Sequence, residues 1–157
     1  MSRIRAKKLK DVSVRRLGET ALTFAAQAAP LDSDSANMLI FLLLKTGPGV
    51  DVNAVSDISK RAPLHWVAYH NKLDVVQDLV ESGANLNALD AQGMTPAILA
   101  ASTGNLEMVN VLLSYPGADA MLEDNNKLTV HDHLVIAAQA SMYGGPLGTS
   151  SHPAELP

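Results

Sequence analysis

The amino-acid sequence predicts an all-α solenoid of stacked antiparallel helix pairs joined by outward turns, and three observations predict it. First, the chain repeats itself. Asp57 to Leu89 lies on Asp90 to Leu122 at an offset of 33 residues, pairing Pro63 with Pro96, Ala68 with Ala101, Leu73 with Leu106, Val76 with Val109 and Leu79 with Leu112. The offset becomes 34 just beyond Leu112, where Ser114, Tyr115 and Pro116 hold one residue more than Glu81 and Ser82. A self-similar unit of this length is one supersecondary module that cannot bury its apolar face alone and must stack on copies of itself. Second, helix punctuation recurs at fixed places in each copy. Third, 47% of the residues are apolar but only 4% aromatic, as in a core packed by Ala and Leu. At 157 residues the chain makes one domain, and no apolar run approaches the roughly 20 residues that span a bilayer.

Taken in order, residues 1–14 form a basic arm. Residues 1–16 hold seven of the twelve basic residues (Arg3, Arg5, Lys7, Lys8, Lys10, Arg15, Arg16) against Asp11, a balance of +6, and the rest holds five basic and fifteen acidic residues, a balance of −10. Such an arm reads first as a solvated charge run, and otherwise suits nucleic acid, an anionic membrane, an import receptor or an acidic protein. Glu19, Thr20 and Gln27 interrupt any apolar run that would make it a secretory signal.

Four units are expected over 15–142: 15–56, 57–89, 90–123 and an incomplete 124–142. The first opens with Gly18 to Ala26 and carries a loop insertion, Ala29-Pro30-Leu31-Asp32-Ser33-Asp34-Ser35, between its helices. Its second helix, Met38 to Leu44, reads as buried, and Gly49 to Ala54 closes the unit. The third unit is the clearest. Asp90-Ala91-Gln92-Gly93 is a turn, Thr95 an N-cap and Pro96 sits at the first helical position, where its missing N–H is harmless. Ile98, Leu99, Ala100 and Ala101 give a small-residue helix that Gly104-Asn105 breaks. Leu106 to about Ser114 forms the second helix, with an apolar stripe of Leu106, Val109, Leu112 and Leu113. In the last unit one helix is predicted, from about Val130 to Met142, followed by a flexible Gly/Ser/Pro tail over 143–157.

Ala62-Pro63-Leu64-His65-Trp66-Val67-Ala68, Thr95-Pro96-Ala97-Ile98-Leu99-Ala100-Ala101 and Gly83-Ala84-Asn85-Leu86-Asn87-Ala88 resemble the signature segments of ankyrin repeats, and the resemblance extends over roughly Arg15 to Met142. It implies an ankyrin-repeat solenoid, a protein–protein interaction scaffold without catalysis. Departures from the family pattern fall at Lys60 and Lys127 in place of a turn glycine, at Ala62 in place of the capping threonine, and at Thr23 and Ile98 in place of the motif histidine. Weaker capping and fewer bonds between repeats are expected at these places. The resemblance makes His65 a structural, hydrogen-bonding residue. It also sets Asn87 at a position like those hydroxylated in the family, beside its reading as a turn-stabilising residue.

Chemistry-bearing patterns are sparse. His131-Asp132-His133 puts two imidazoles on different sides of a helix, with no third ligand placed by spacing, and reads as polar surface. Asp119, Glu123 and Asp124 lack the glycine and ligand spacing of a calcium loop. No phosphate loop, nucleophile elbow or zinc-protease motif is present, and zero cysteines exclude thiolate sites. No catalytic residue, metal or cofactor is therefore expected, and no small-molecule substrate. By the resemblance, partners meet the turn tips and the exposed end of the first helix. The candidate contacts are Lys60, Arg61, Tyr69, His70, Gln92, Met94, Ser102 and Thr103, with Arg61, Tyr69 and His70 foremost because aromatic rings and guanidinium groups are the commonest binding anchors. Trp66, where the family carries a packed Leu, reads as core. The alternative function is a regulatory or targeting segment of a larger protein, whose basic arm contacts nucleic acid or anionic membrane. The expected setting is intracellular, cytoplasmic or nuclear.

Overall fold

The computed structural model describes residues 20–27, 33–46 and 49–143. Expectations for the basic arm and for the tail beyond Tyr143 lie outside them. Seven helices are described, α1 (Ala21–Gln27), α2 (Ser33–Thr46), α3 (Pro63–Tyr69), α4 (Leu73–Glu81), α5 (Pro96–Ser102), α6 (Leu106–Ser114) and α7 (Val130–Met142), and no strand among the described residues. The first helices of successive units, α1, α3, α5 and α7, pack side by side in one row. The second helices, α2, α4 and α6, form another, each on its own first helix. The core lies between the rows. Leu22, Ile40, Leu64, Val67, Val76, Leu79, Ile98, Met108, Val109 and Leu112 fill it, each large aliphatic side chain contributing about 1.5–3 kcal/mol by burial.

Four local readings are corrected. Leu106 is 55% exposed and Met108 is buried in its stead, because the buried face of α6 runs through Met108, Val109 and Leu112 at helical spacing. On α2, Ala36 and Ile40 are buried one turn apart, while Met38, Leu39, Phe41 and Leu42 are exposed. A helix touching α1 and α4 through one seam needs only that stripe, so continuous apolarity did not mean full burial. The same helix begins at Ser33, so the last three residues of the expected loop insertion are helical.

The fourth correction concerns register. Asp90 and Asp124 are buried and hold their turns alike. One carboxylate oxygen of Asp90 accepts from the N–H groups of Gln92 and Met94, both at 2.9 Å. That of Asp124 accepts from Asn126 (2.7 Å) and Leu128 (3.0 Å). In the second unit Ser56, not Asp57, takes this place. It is buried, Asp57 is exposed, and the Ser56 N–H donates to Arg61 O as that of Asp90 does to Met94 O. The turn is one residue longer there, with its extra residue between Ser56 and Lys60.

Lys60 and Lys127 adopt φ of 54° and 64°, and Asn71 55°, left-handed values that glycines carry elsewhere. Among the described glycines only Gly93 (φ 74°) also has a neighbour that demands it, since an added Cβ would lie 2.5 Å from Asn125 Oδ1. Side-chain amides join consecutive closing turns. Asn53 donates to Gly83 O (3.0 Å) and accepts from Asn85 N–H (2.8 Å), and Asn87 donates to Gly117 O (2.8 Å) and accepts from Asp119 N–H (2.9 Å). Both hydrogen-bonding ends of the Asn87 amide are thus engaged in bridging repeats.

Candidate functional site

Trp66, Tyr69 and His70 stand at i, i+3 and i+4 of the α3 segment, so they share one face. The Trp66 and His70 rings stack, with centroids 6.2 Å apart and planes at 17°, and Tyr69 meets both edge-on. Arg61 comes from the preceding turn. Its guanidinium carbon lies 5.0 Å from the Trp66 centroid and 5.8 Å from that of Tyr69, cation–π distances. Its Nε donates to Asp90 Oδ2 of the next repeat at 3.2 Å. Burial, aided by the charge of Lys72, holds the His70 pKa below its ordinary value, so the ring is neutral at pH 7.

Beneath this patch His65 is fully buried. Its Nδ1 accepts from the Ala62 N–H (3.1 Å), so Nε2 carries the proton and donates to Met94 O at 3.0 Å. Burial pushes its pKa down against the opposing effect of that carbonyl. His65 thus satisfies the N–H of Ala62 itself and adds a bond to the next repeat, while no side chain accepts from the His65 N–H as Thr95 does from Ile98. Capping is weaker here, but the expected loss of bonds between repeats does not occur at this joint.

Of the sequence candidates, the structure brings Arg61, Tyr69 and His70 together around Trp66. Lys60 is exposed at the turn tip, as is Gln92 at the next. Met94 is half-buried against the core and its carbonyl is occupied by His65 and the Asp90 N–H. Ser102 and Thr103 are exposed one repeat along, their hydroxyls donating to Leu99 O (2.8 Å) and Ala100 O (2.9 Å). Trp66 is half-buried and not simply core. Phe24 was missed altogether. It occupies in α1 the place of Trp66 in α3 and is 67% exposed, a correspondence readable by aligning Thr20-Ala21-Leu22-Thr23-Phe24 with Ala62-Pro63-Leu64-His65-Trp66.

At the other end of the stack, His133 is buried rather than polar surface. Its Nε2 lies 2.8 Å from Asp124 Oδ2. Burial favours the neutral form of Asp124, but the Leu128 N–H, His133 and the Asn126 N–H outweigh it and hold the carboxyl below its ordinary pKa. Asp132 accepts from the Thr129 N–H and hydroxyl, both at 2.8 Å, capping α7. Among the described residues no three His, Asp or Glu side chains gather to hold a metal, and no helix is long and apolar enough to cross a membrane.

The sequence pattern of the family described as ankyrin repeats, in three copies, matches residues 28–124. The chain belongs to the ankyrin-repeat family. Ankyrin-repeat relatives include the chicken nuclear factor NF-kappa-B p105 subunit, 29% identical over 106 residues, or 65% of this chain and 11% of the relative. Mouse rabankyrin-5 is 38% identical over 69 residues (44% and 6%), and the Drosophila transient receptor potential cation channel subfamily A member 1 is 38% identical over 58 (37% and 5%). The chain spans at most 11% of the length of these three relatives. Ankyrin repeats are generally protein–protein interaction modules, and the family is generally non-catalytic.

Proposed function

We propose that this chain is a non-catalytic, intracellular protein-binding scaffold whose contact surface centres on the first helix and turn of the second repeat. The observation that carries the reading is the Trp66–Tyr69–His70 face with Arg61 laid across it. The third repeat fits Leu99 into the equivalent position at 3% exposure. Trp66 there is only half-buried and leaves its indole N–H buried without a partner. An unpaired buried donor costs about 1–3 kcal/mol, so Trp at this place serves packing worse than Leu would. Rigid aromatic rings beside a guanidinium are the side chains that dominate binding energy.

The test is affinity capture from lysate by wild type and by a Tyr69→Ala/His70→Ala variant. Both side chains are accessible, so the variant should melt within a few degrees of wild type yet lose captured partners; unchanged capture removes the site. Arg61→Ala is a poor probe, because it strands the fully buried Asp90 carboxylate.

A second reading rests on the +6 balance of residues 1–16, in which the arm of a larger protein's targeting segment contacts nucleic acid or anionic membrane. Deleting residues 1–16 should then abolish a strongly salt-dependent interaction, and binding insensitive to salt would exclude it.

A further inference from the structure

The face of the second repeat also has a sign. Beyond residue 16 the chain holds five basic residues, Lys45, Lys60, Arg61, Lys72 and Lys127, against fifteen acidic ones. Arg61 lies over the aromatic cluster, the charge of Lys72 acts on His70, and Lys60 stands exposed next to Arg61 in the same turn. The acidic residues gather elsewhere, with Asp74, Asp78 and Glu81 on α4 and Glu107 on α6. At the turn itself Asp57 is the exposed acid, and Asp90 is fully buried with Oδ1 committed to two backbone amides. Lys72 is buried against Ala25 O, so its charge acts on the face without touching what binds there.

Arg61 has capacity to spare. Asp90 engages Nε, and the two terminal nitrogens make no bond among the described residues, nor are they buried. The rings of Trp66 and Tyr69 hold the guanidinium plane in place, so its outer edge is a preset two-donor fork. Beside the fork lies apolar surface. The chain has two Phe, three Tyr and one Trp, and Phe24, Trp66 and Tyr69 stand on the first helices of two adjacent repeats, Phe24 and Tyr69 both exposed.

We infer that the occupant of this face is an acidic, apolar protein segment. A carboxylate takes the free edge of Arg61 in a two-point bond, and a neighbouring large apolar side chain covers Tyr69 and Phe24. Lys60 adds long-range attraction. A nucleic acid fits less well, since its many phosphates would meet the excess of carboxylates on the rest of the chain, whereas a short segment sets one or two acids against the basic turn alone. The inference rests on the protein-binding reading above and narrows it to one class of partner.

A random peptide library displayed on phage, panned against the full chain, tests it. The recovered peptides, made synthetically, are titrated while following the emission of Trp66, the single tryptophan. The expected sequences carry Asp or Glu beside Leu, Met, Phe or Trp. Replacing that acid by its amide should weaken binding about tenfold, the worth of one charge-assisted bond. Lys60→Gln should lower affinity and its salt sensitivity, and Tyr69→Ala should abolish the emission change. Arg61→Lys keeps the charge but loses the fork and should weaken binding. Should that variant fold poorly, the peptide amides and Lys60→Gln still decide. Peptides without acidic bias that move Trp66 emission and need Tyr69 would overturn the acidic class while leaving the face standing. Peptides that bind Tyr69→Ala equally well and leave the emission unmoved would remove the face itself.

Discussion

In the second repeat Trp66, Tyr69 and His70 line the first helix, where the third repeat has Leu99, Ser102 and Thr103, yet α3 and α5 are the same length and begin at the same proline. Several positions the two repeats share are buried in both, such as Ala68 and Ala101 or Leu79 and Leu112. Their capping differs as well. Thr95 caps α5 locally by accepting from the Ile98 N–H at 3.1 Å. α3 has no such oxygen, and His65 satisfies the Ala62 N–H from within the helix while bonding across to Met94. The second repeat therefore exchanges self-sufficiency for attachment to the third, through His65 to Met94 and Arg61 to Asp90. The lesson is that equivalent backbones tolerate different partners provided each buried polar group finds one.

Mutations separate what the two repeats share from what they do not, and the largest effects belong to the shared core. Leu79→Ala and Leu112→Ala should each cost about 2–5 kcal/mol in urea denaturation, and a negligible loss at either would mean the two repeats do not contribute alike. Next come the turns. Gly93→Ala meets both a left-handed φ and Asn125 and should cost about 1–3 kcal/mol. Gly83→Ala has open space and should lose about 1 kcal/mol; equal losses would show that the close approach of Asn125 is unimportant. A cap exchange is smaller. Thr95→Ala should destabilise by about 1 kcal/mol, and Ala62→Thr should gain about as much, since no side chain accepts from the His65 N–H in α3.

The gentlest probe is pH. His65 has a lowered pKa, so the unfolded chain binds a proton more readily, and the stability from its neutral form is complete above about pH 6.5 and is lost as pH falls toward the folded value. Asp124, also lowered, contributes stability present above about pH 4 and lost as pH falls through its folded value. Thermal melts should thus decline in two stages on acidification. His65→Gln should shrink the first, to which the lowered pKa of His70 also contributes, and Asp124→Asn should shrink the second, and an unchanged profile in either variant would contradict the assignment.

Much of this was legible because repeats make local rules recur. The predicted bounds of α6 and α7 match the observed helices, since Asn105 and Thr129 punctuate the chain where the apolar period begins. Periodicity did not reveal that Ser56 replaces an aspartate, because a one-residue lengthening of the turn is silent when Asp57 adjoins it. It could not place His133 on Asp124, a contact made only when α7 docks. Nor could it show that Arg61 is tied to Asp90, 29 residues away. The face on α3 was half-visible: helical spacing joins Tyr69 and His70, but the Leu-like position of Trp66 hid its part.

Among the described residues α7 packs chiefly on α5, whereas α3 and α5 are each flanked by helices in three directions. In a one-dimensional stack each unit is held by its nearest neighbours alone, so opening should begin where those couplings are fewest. Amide hydrogens of α7 should exchange with solvent earliest and those of α3 and α5 latest, so the array unzips directionally toward the aromatic face of the second repeat.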